Sequence, residues 1–373
     1  MKLQQLGKIE PDPDHGWSRE IVQVHDAVVV PPTTMIGRPI CGVVSDLGDC
    51  PHAATWRGGI RMTRAVTEKT APGKRLKGKH MWGGLYYGHF GHFMTETMSR
   101  CWAFDHDEIE TVIFVPKHPD LQDFQKYQSE FWELLNLKVK VTIAREPISV
   151  EELYVPGQGF GLGRIAKGTP EFRARMRQIA ERLPADNPRK IYISRTKFNG
   201  RGGIVAESVM ERNMIRNGYE IMHPEKMALT DQLRYYKSAS HILGVDSSAF
   251  HIAGMVADPS KNIGFILRRD NNAHESIAAQ IQGMIGRDPE IIDALAANWM
   301  DPLQDKSNHL SWGEIDHGKL ALDLVEKGFI DSAEGWESPS EEEIATSVEE
   351  ASKRAKVALT RSPRDVADHQ SPQ

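Results

Sequence analysis

The sequence predicts an α/β protein of two domains, each built on a parallel sheet with helices on its faces. Three observations carry that expectation. Short runs of β-branched and aromatic residues recur along the chain, and helix-forming sequence follows within a few residues of each. The densest series runs from Arg189 to Met255, where KIYIS, YEIM and HILGV alternate with helical segments, the order that a parallel sheet requires. At 373 residues, the chain is also too long to be comfortable as one domain.

Composition narrows the partners. A formal charge of −5 gives no electrostatic footprint for nucleic acid. The 3 cysteines, Cys41, Cys50 and Cys101, follow no metal-ligand spacing and leave one thiol over in any pairing, which favours a reducing compartment. The first twenty residues hold no apolar core of signal-peptide length, and no later run reaches the roughly 18 apolar residues of a membrane span. A cytoplasmic, soluble protein is the expectation.

Taken in order, Ile21 to Pro32 alternates as one or two strands ended by the Pro-Pro pair, and CGVVSD forms another. From Trp56 to Lys79 the text is basic, rich in Gly and Arg, and without a period. It reads as loops and small irregular elements around the entrance of the first domain, either simply solvated or holding an anionic ligand.

Gly83 to Phe104 carries the first chemical signal. A helix beginning near Gly91 places His92 and Glu96 four apart on one face, with Ser99, Arg100 and Ala103 continuing nearby, while Phe93, Met94, Met98, Cys101, Trp102 and Phe104 form the apolar side. A histidine so placed can donate one ring hydrogen to the carboxylate and keep its other nitrogen as a base. The glycines in front of the pair let the backbone approach a ligand closely.

TVIFVP is a strand, Leu121 to Leu137 an amphipathic helix, KVKVTIA a strand and EELYVPG a short one. Gly157 to Pro170 is glycine-rich without being a GxGxxG fingerprint, so it is either a flexible connection near the domain boundary or a phosphate cradle. Glu171 to Leu183 is a helix.

Arg195 follows strand KIYIS directly, where a rigid five-donor fork suits a diphosphate. Lys197, Arg201 and the glycines from Gly200 to Gly203 extend a basic turn that is either a ligand contact or solvated. The next helix bears Glu207 and closes at Asn217-Gly218. Thr230 is the expected N-cap of the following one, which turns Leu233, Tyr236 and Ala239 inward. Strand HILGV then stops at Asp246, and Ser247 and Ser248 fall at a helix start, where free amides and hydroxyls bind phosphate oxygens, Ser248 alternatively being only an N-cap. His251, in the first helical turns, is either a sugar or phosphate contact or a satisfied, partly buried histidine. NIGFILRR is a strand, residues 274–285 a helix, IIDALAANWM and HGKLALDLVEKGF two helical runs, EEEIATSVEEASKRAK a peripheral helix, and RSPRDVADHQSPQ a disordered tail.

Over about residues 80 to 270 the chain resembles glycosyltransferase family 61, whose members include bacterial polysaccharide-synthesis proteins, plant xylan-decorating enzymes and eukaryotic O-linked GlcNAc transferases. The segments that carry the resemblance are GHFGHFMTETMSRCWAF, KIYISR, AESVMERNMIRNGYEIMHPE, LTDQLRYYKSAS and ILGVDSSAFHIAGM. The last departs from the family's usual GxHGAxLxN: Asp246 stands in place of histidine, Ser247 of glycine, and His251 of an apolar or small residue. The resemblance implies a GT-B-like α/β fold, two Rossmann-like domains facing a central cleft. Residues 1–160 would serve the acceptor and carry the base, 161–330 would hold the donor, and 331–373 would be peripheral helix and tail.

The implied reaction is inverting and needs no metal or cofactor. A sugar passes from a nucleoside-diphosphate sugar, of the UDP type, to a hydroxyl of a glycan acceptor in cell-surface polysaccharide synthesis, with peripheral association to a membrane-linked system. His92 or Glu96 would be the base, and Arg195, Ser247, Ser248, His251, Glu207 and Lys197 the donor contacts. The competing readings are a noncatalytic nucleotide-sugar- or glycan-binding relative, and a nucleotide-dependent sugar-modifying enzyme on a Rossmann-type fold.

Overall fold

The protein is described by a computed structural model that covers residues 9–33, 37–67, 70–106, 108–184, 189–198 and 202–364. Gly200 and Arg201 of the basic turn and the tail beyond Arg364 lie outside the described residues. The chain divides into two compact α/β units, Met1–Leu183 with His251–Val256 and Ala279–Gly286, and Pro184–Phe250 with Ala257–Ala278 and Arg287–Gln373.

The first unit is built on a mixed sheet of seven strands. These are β1 (Ile21–Val30), β2 (Gly42–Ser45), β3 (Gly48–Asp49), β6 (Lys74–Tyr86), β7 (Thr111–Pro116), β8 (Lys140–Ile143) and β9 (Ile148–Pro156), while β4 (Trp56–Arg57) and β5 (Ile60–Arg61) form a separate hairpin. The sheet order is β3-β2-β1-β9-β6-β7-β8; β9, β6, β7 and β8 are parallel neighbours, and the β1 side is antiparallel. The stretch from Trp56 to Lys79, expected to be loops and small irregular elements, opens with this short hairpin, and its last six residues begin a thirteen-residue strand.

Between β6 and β7 lies an irregular helical stretch: α1 (Phe90–His92), a π turn (Phe93–Thr97) and a 3₁₀ segment (Met98–Ala103). Its apolar side buries Phe93 and Phe104 completely. Phe93 meets Phe124 and Phe131 edge to face, and Phe104 packs on Phe114 and Trp132. Burial of each such ring contributes about 1.5–3 kcal/mol. Gly83 and Gly84 in front of it have a packing role: a Cβ on Gly83 would stand 2.6 Å from the Phe114 ring, and one on Gly84 2.8 Å from the Arg100 guanidinium.

Helix α2 (Lys126–Leu134) is shorter than expected, because Gln125 and Gln128 close a capping box that starts it there. Helix α3 (Pro170–Arg182) is capped by the Thr169 hydroxyl. The first part of the glycine-rich stretch before it is packed: residues 157–161 are buried, and a Cβ on Gly157 would meet the Trp17 carbonyl at 1.8 Å.

The second unit has a five-stranded, wholly parallel sheet of β10 (Arg189–Ile193), β12 (Tyr219–Met222), β13 (Ala239–Val245), β14 (Asn262–Ile266) and β15 (Glu290–Ile292), in the order β12-β10-β13-β14-β15. Beside it stands a four-stranded sheet in which β11 (Gly203–Ile204) pairs β17 (Trp312–Ile315), β17 pairs β16 (Leu295–Met300) and β16 pairs β18 (Thr360–Pro363). The helices are α4 (Glu207–Arg216), α5 (Leu229–Ser238), α6 (Ala249–Val256), α7 (Ala273–Ile285), α8 (His317–Glu326) and α9 (Glu341–Ala355); residues from His251 in α6 and from Ala279 in α7 belong to the first unit.

One face of the parallel sheet, with Tyr192, Leu243, Val245 and Ile266, packs against Met210 and Met214 of α4 and Leu320 and Leu324 of α8. On the other, Phe265 meets Phe250 of α6 at 4.5 Å.

Three sequence expectations fail in this unit. IIDALAANWM is strand, not helix, because β16 is paired on both sides and the Asn298 amide donates to the Arg268 carbonyl (3.0 Å), so tertiary pairing overrides the alanines' preference. Helix α5 starts at Leu229 on Ala228, so Thr230 is not its N-cap. Finally, Thr360–Pro363 is a strand, not tail, and α9 is not merely peripheral: Ile344, Val348 and buried Ala351 pack with Val205, Val209 and Trp312.

Candidate functional site

In the first unit the π turn brings His92 and Glu96 together. His92 Nδ1 lies 2.6 Å from Glu96 Oε2. Arg57, on the β4–β5 hairpin, donates from Nε to Glu96 Oε1 (2.9 Å) and from Nη2 to Oε2 (2.8 Å), a two-pronged bond. The Glu96 carboxylate is wholly buried, while about a third of the Arg57 and His92 side chains is exposed. Burial alone would raise the Glu96 pKa, but hydrogen bonds from His92 and Arg57 and the guanidinium charge overcome it and hold the carboxyl below its ordinary value.

An ionised carboxylate only accepts, so at that distance the proton lies on Nδ1; Arg57 Nη2, 3.3 Å from the same nitrogen, donates to Glu96 instead. Neutral His92 therefore keeps the lone pair on Nε2. Its ring lies 5.3 Å from Tyr87 and 5.5 Å from His89.

Arg57 is the member that sequence reasoning missed. The signal was present in WRGGIR, a Gly-Gly pair flanked by strand-forming residues, the mark of a two-residue hairpin. His92 also walls a cavity of about 460 Å³ that includes Arg57, Tyr87, Gly88, His89, Lys117 and His118. Arg100, expected to continue the polar face, is instead fully buried and donates to the carbonyls of Pro156 (2.9 Å) and Ala54 (2.7 Å); burial pulls its pKa down to about 9.

His251 is placed in this unit as well. Its Nδ1 lies 2.5 Å from Gln280 Oε1, and the Gln280 amide donates to the Gly161 carbonyl at 2.6 Å. Desolvation lowers its pKa to about 4, with the charges of His92, Glu96 and His89 close enough to act on it.

In the second unit the strand order is 2-1-3-4-5 counted along the parallel sheet, so the chain reverses direction of travel between β10 and β13. Ligands of such sheets bind at that switch point, outside the carboxyl ends of the strands. Arg195 follows β10 there, Asp246, Ser247 and Ser248 link β13 to α6, and Arg268 and Arg269 follow β14. Arg269 Nη2 and Nε donate to Asp246 Oδ2 (2.5 and 3.1 Å), and the Arg268 backbone N–H to Oδ1 (3.3 Å). Burial pulls Arg268 down to about 9. Arg268 and Arg269 were also missed, although they stand at a strand end by the same rule that singles out Arg195.

The Arg195 guanidinium lies 4.5 Å from the Phe198 ring and donates to the Gly202 carbonyl (3.0 Å); its Nε is buried and unpartnered among the described residues. Glu207, at the start of α4, accepts from the Arg195 backbone N–H (3.0 Å) and the Tyr192 hydroxyl (3.1 Å). Burial raises its pKa to about 7, against the lowering by Arg195 and Tyr192. Arg195 and Glu207 wall a cavity of about 360 Å³ whose other side is α9, with Glu342, Glu343 and Glu350; Ser247 and Ser248 are not among its lining residues. Lys197 is exposed in the turn after β10.

Among the described residues, no three His, Cys, Asp or Glu side chains group closely enough to hold a metal ion, and no helix is long and apolar enough to cross a membrane. Residues 90–263 match the family described as Glycosyltransferase 61. The matched stretch takes in His92, Glu96, Arg195 and the Asp246–Ser248 turn, and leaves out Arg57, Arg268 and Arg269. No curated protein matches the chain.

Proposed function

We propose that the protein is an inverting, metal-independent glycosyltransferase that moves a sugar from a nucleoside-diphosphate sugar, of the UDP type, to a hydroxyl of a glycan acceptor. The observation that carries the reading is the sheet's switch point, where Arg195 and a helix start stand at strand ends inside a segment similar to a glycosyltransferase family, with Arg268 and Arg269 at the end of the next strand just beyond it. A departing diphosphate develops charge there, and Arg195, with Ser247, Ser248 and the first amides of α6, is suited to receive it without a metal ion. Lys197 and Glu207 complete the donor contacts.

The division of labour is that of a GT-B-like enzyme, with the donor held by the second unit and the acceptor by the first. His92 Nε2 takes the proton of the acceptor hydroxyl as its oxygen bonds to the anomeric carbon, and the bond from that carbon to the phosphate oxygen breaks, its electron pair leaving with the diphosphate. Glu96 is then a positioning residue, since both its oxygens are occupied by Arg57 and His92 and it is sealed from solvent. His251 borders the His92 group and would face the transferred sugar. Cell-surface polysaccharide assembly in the cytoplasm, alongside a membrane-linked system, is the setting this reading implies.

A noncatalytic nucleotide-sugar- or glycan-binding role has one observation in its favour: the Asp246 carboxylate already occupies Arg269. A screen of nucleotide sugars for binding and hydrolysis tests the proposal. Turnover of one of them supports it and rejects the noncatalytic role, whereas binding without turnover in the presence of any glycan acceptor tried would overturn it.

A further inference from the structure

The cavity beside His92 has a chemical character that the transfer reaction alone does not require. Its walls carry Arg38, Arg57, His89, His92, Lys117 and His118, and none of its described lining residues is acidic. The Glu96 carboxylate is buried behind Arg57 and His92. Arg38, Lys117 and His118 have no carboxylate partner among the described residues, and Arg38 and His118 are exposed. In a chain whose formal charge is −5, a pocket whose charged and imidazole walls are all basic runs against the net sign. Such a pocket raises the local concentration of anions and penalises cationic ligands. Met62, Pro39 and Tyr87 supply apolar walls, so the site suits a sugar ring that bears an oxyanion better than a free ion.

We propose that this cavity selects an acidic acceptor: a glycan whose residue next to the reacting hydroxyl carries a carboxylate or a phosphoryl group. The inference rests on the reading of His92 as the acceptor's base. Arg38 and Lys117 bind the oxyanion, and the ring then stands with its hydroxyl toward His92. Arg57 remains committed to Glu96.

The test uses the full chain labelled at histidine and follows the imidazole signals of His89, His92 and His118 by NMR while glucuronate, glucose 6-phosphate or glucose is added. Either anion should move these signals and glucose should not. Lys117→Ala and Arg38→Ala should each weaken the anion about tenfold, a loss of ~1.4 kcal/mol, while Arg195→Ala leaves it unchanged. A stronger response to glucuronate identifies a uronate acceptor, and a stronger one to glucose 6-phosphate a phosphorylated acceptor. Comparable shifts with glucose, or anion binding that survives both substitutions, would overturn the inference. The experiment contains no nucleotide sugar, so a chain that turns one over but ignores these anions refutes the acidic acceptor and leaves the transferase reading standing. Anion binding by a chain that turns over no nucleotide sugar refutes the transferase reading and, with it, the acceptor role, and leaves only an anion site.

Discussion

Glu96 in the first unit and Glu207 in the second are buried to nearly the same degree, 1% and 4% exposed, yet their protonation goes in opposite directions. Burial pushes both pKa values up. Glu96 faces a guanidinium fork and an imidazole N–H, and these more than cancel the cost of desolvation. Glu207 receives one backbone amide and one phenol hydroxyl, and its nearest arginine turns its guanidinium to the Gly202 carbonyl instead, so desolvation prevails and the pKa rises to about 7. What sets the charge of a buried carboxyl is therefore which donors reach it, not how deep it lies. One unit keeps a fixed negative charge beside a candidate base; the other keeps a carboxyl that holds or loses a proton near neutrality beside a candidate phosphate site.

Replacing each carboxyl by its amide breaks that contrast most sharply. Glu96→Gln removes the charge that holds His92 in its tautomer and should lower transfer by about 10²–10⁴-fold, measured as initial rate at saturating donor. Glu207→Gln resembles the protonated group and should change the rate by less than about threefold at pH 6, where the native carboxyl already carries its proton. Equal losses would dissolve the distinction.

Arg57→Ala comes next. It leaves the Glu96 carboxylate buried with one partner, and because Arg57 is partly exposed the loss should be about 2–3 kcal/mol, below the ~3–5 kcal/mol for breaking a fully buried pair. Denaturant unfolding reads it; a change under about 0.5 kcal/mol would mean that the fork contributes little.

The smallest effect concerns pH. For Glu207 the folded value is raised above the ordinary 4.5, so between 4.5 and about 7 the unfolded chain has released a proton that the folded chain still binds, and stability falls as pH rises through that window. Glu96 is depressed, so its contribution is present above the ordinary value and is lost as pH falls below it. Unfolding of Glu207→Gln across pH 4.5 to 7 should show a flatter slope than the parent; an unchanged slope would place the raised group elsewhere.

Much of this was legible in local sequence. The i,i+4 spacing of His92 and Glu96, the strand end before Arg195 and the Asp246–Ser248 turn all depend on short-range periodicity, and each stands at the predicted place. Arg57 was not, because its partnership with Glu96 spans 39 residues and arises only when a hairpin folds against the π turn. IIDALAANWM misled because its alanines favour helix locally, while β17 and β18 supply partners from outside the segment. The packing role of Gly83 and Gly84 was not legible either, since they make room for Phe114 and Arg100, neighbours in space but distant in sequence.

The most direct test of the account asks whether proton transfer and donor binding reside in different units. Calorimetry with UDP and turnover of the donor found by screening would be measured side by side for His92→Ala and Arg195→Ala. The account predicts that His92→Ala binds UDP within about twofold of the parent while turnover falls by about 10²-fold or more, and that Arg195→Ala weakens UDP by about tenfold. Parallel loss of UDP affinity and turnover in His92→Ala, or undiminished UDP affinity in Arg195→Ala, would contradict it.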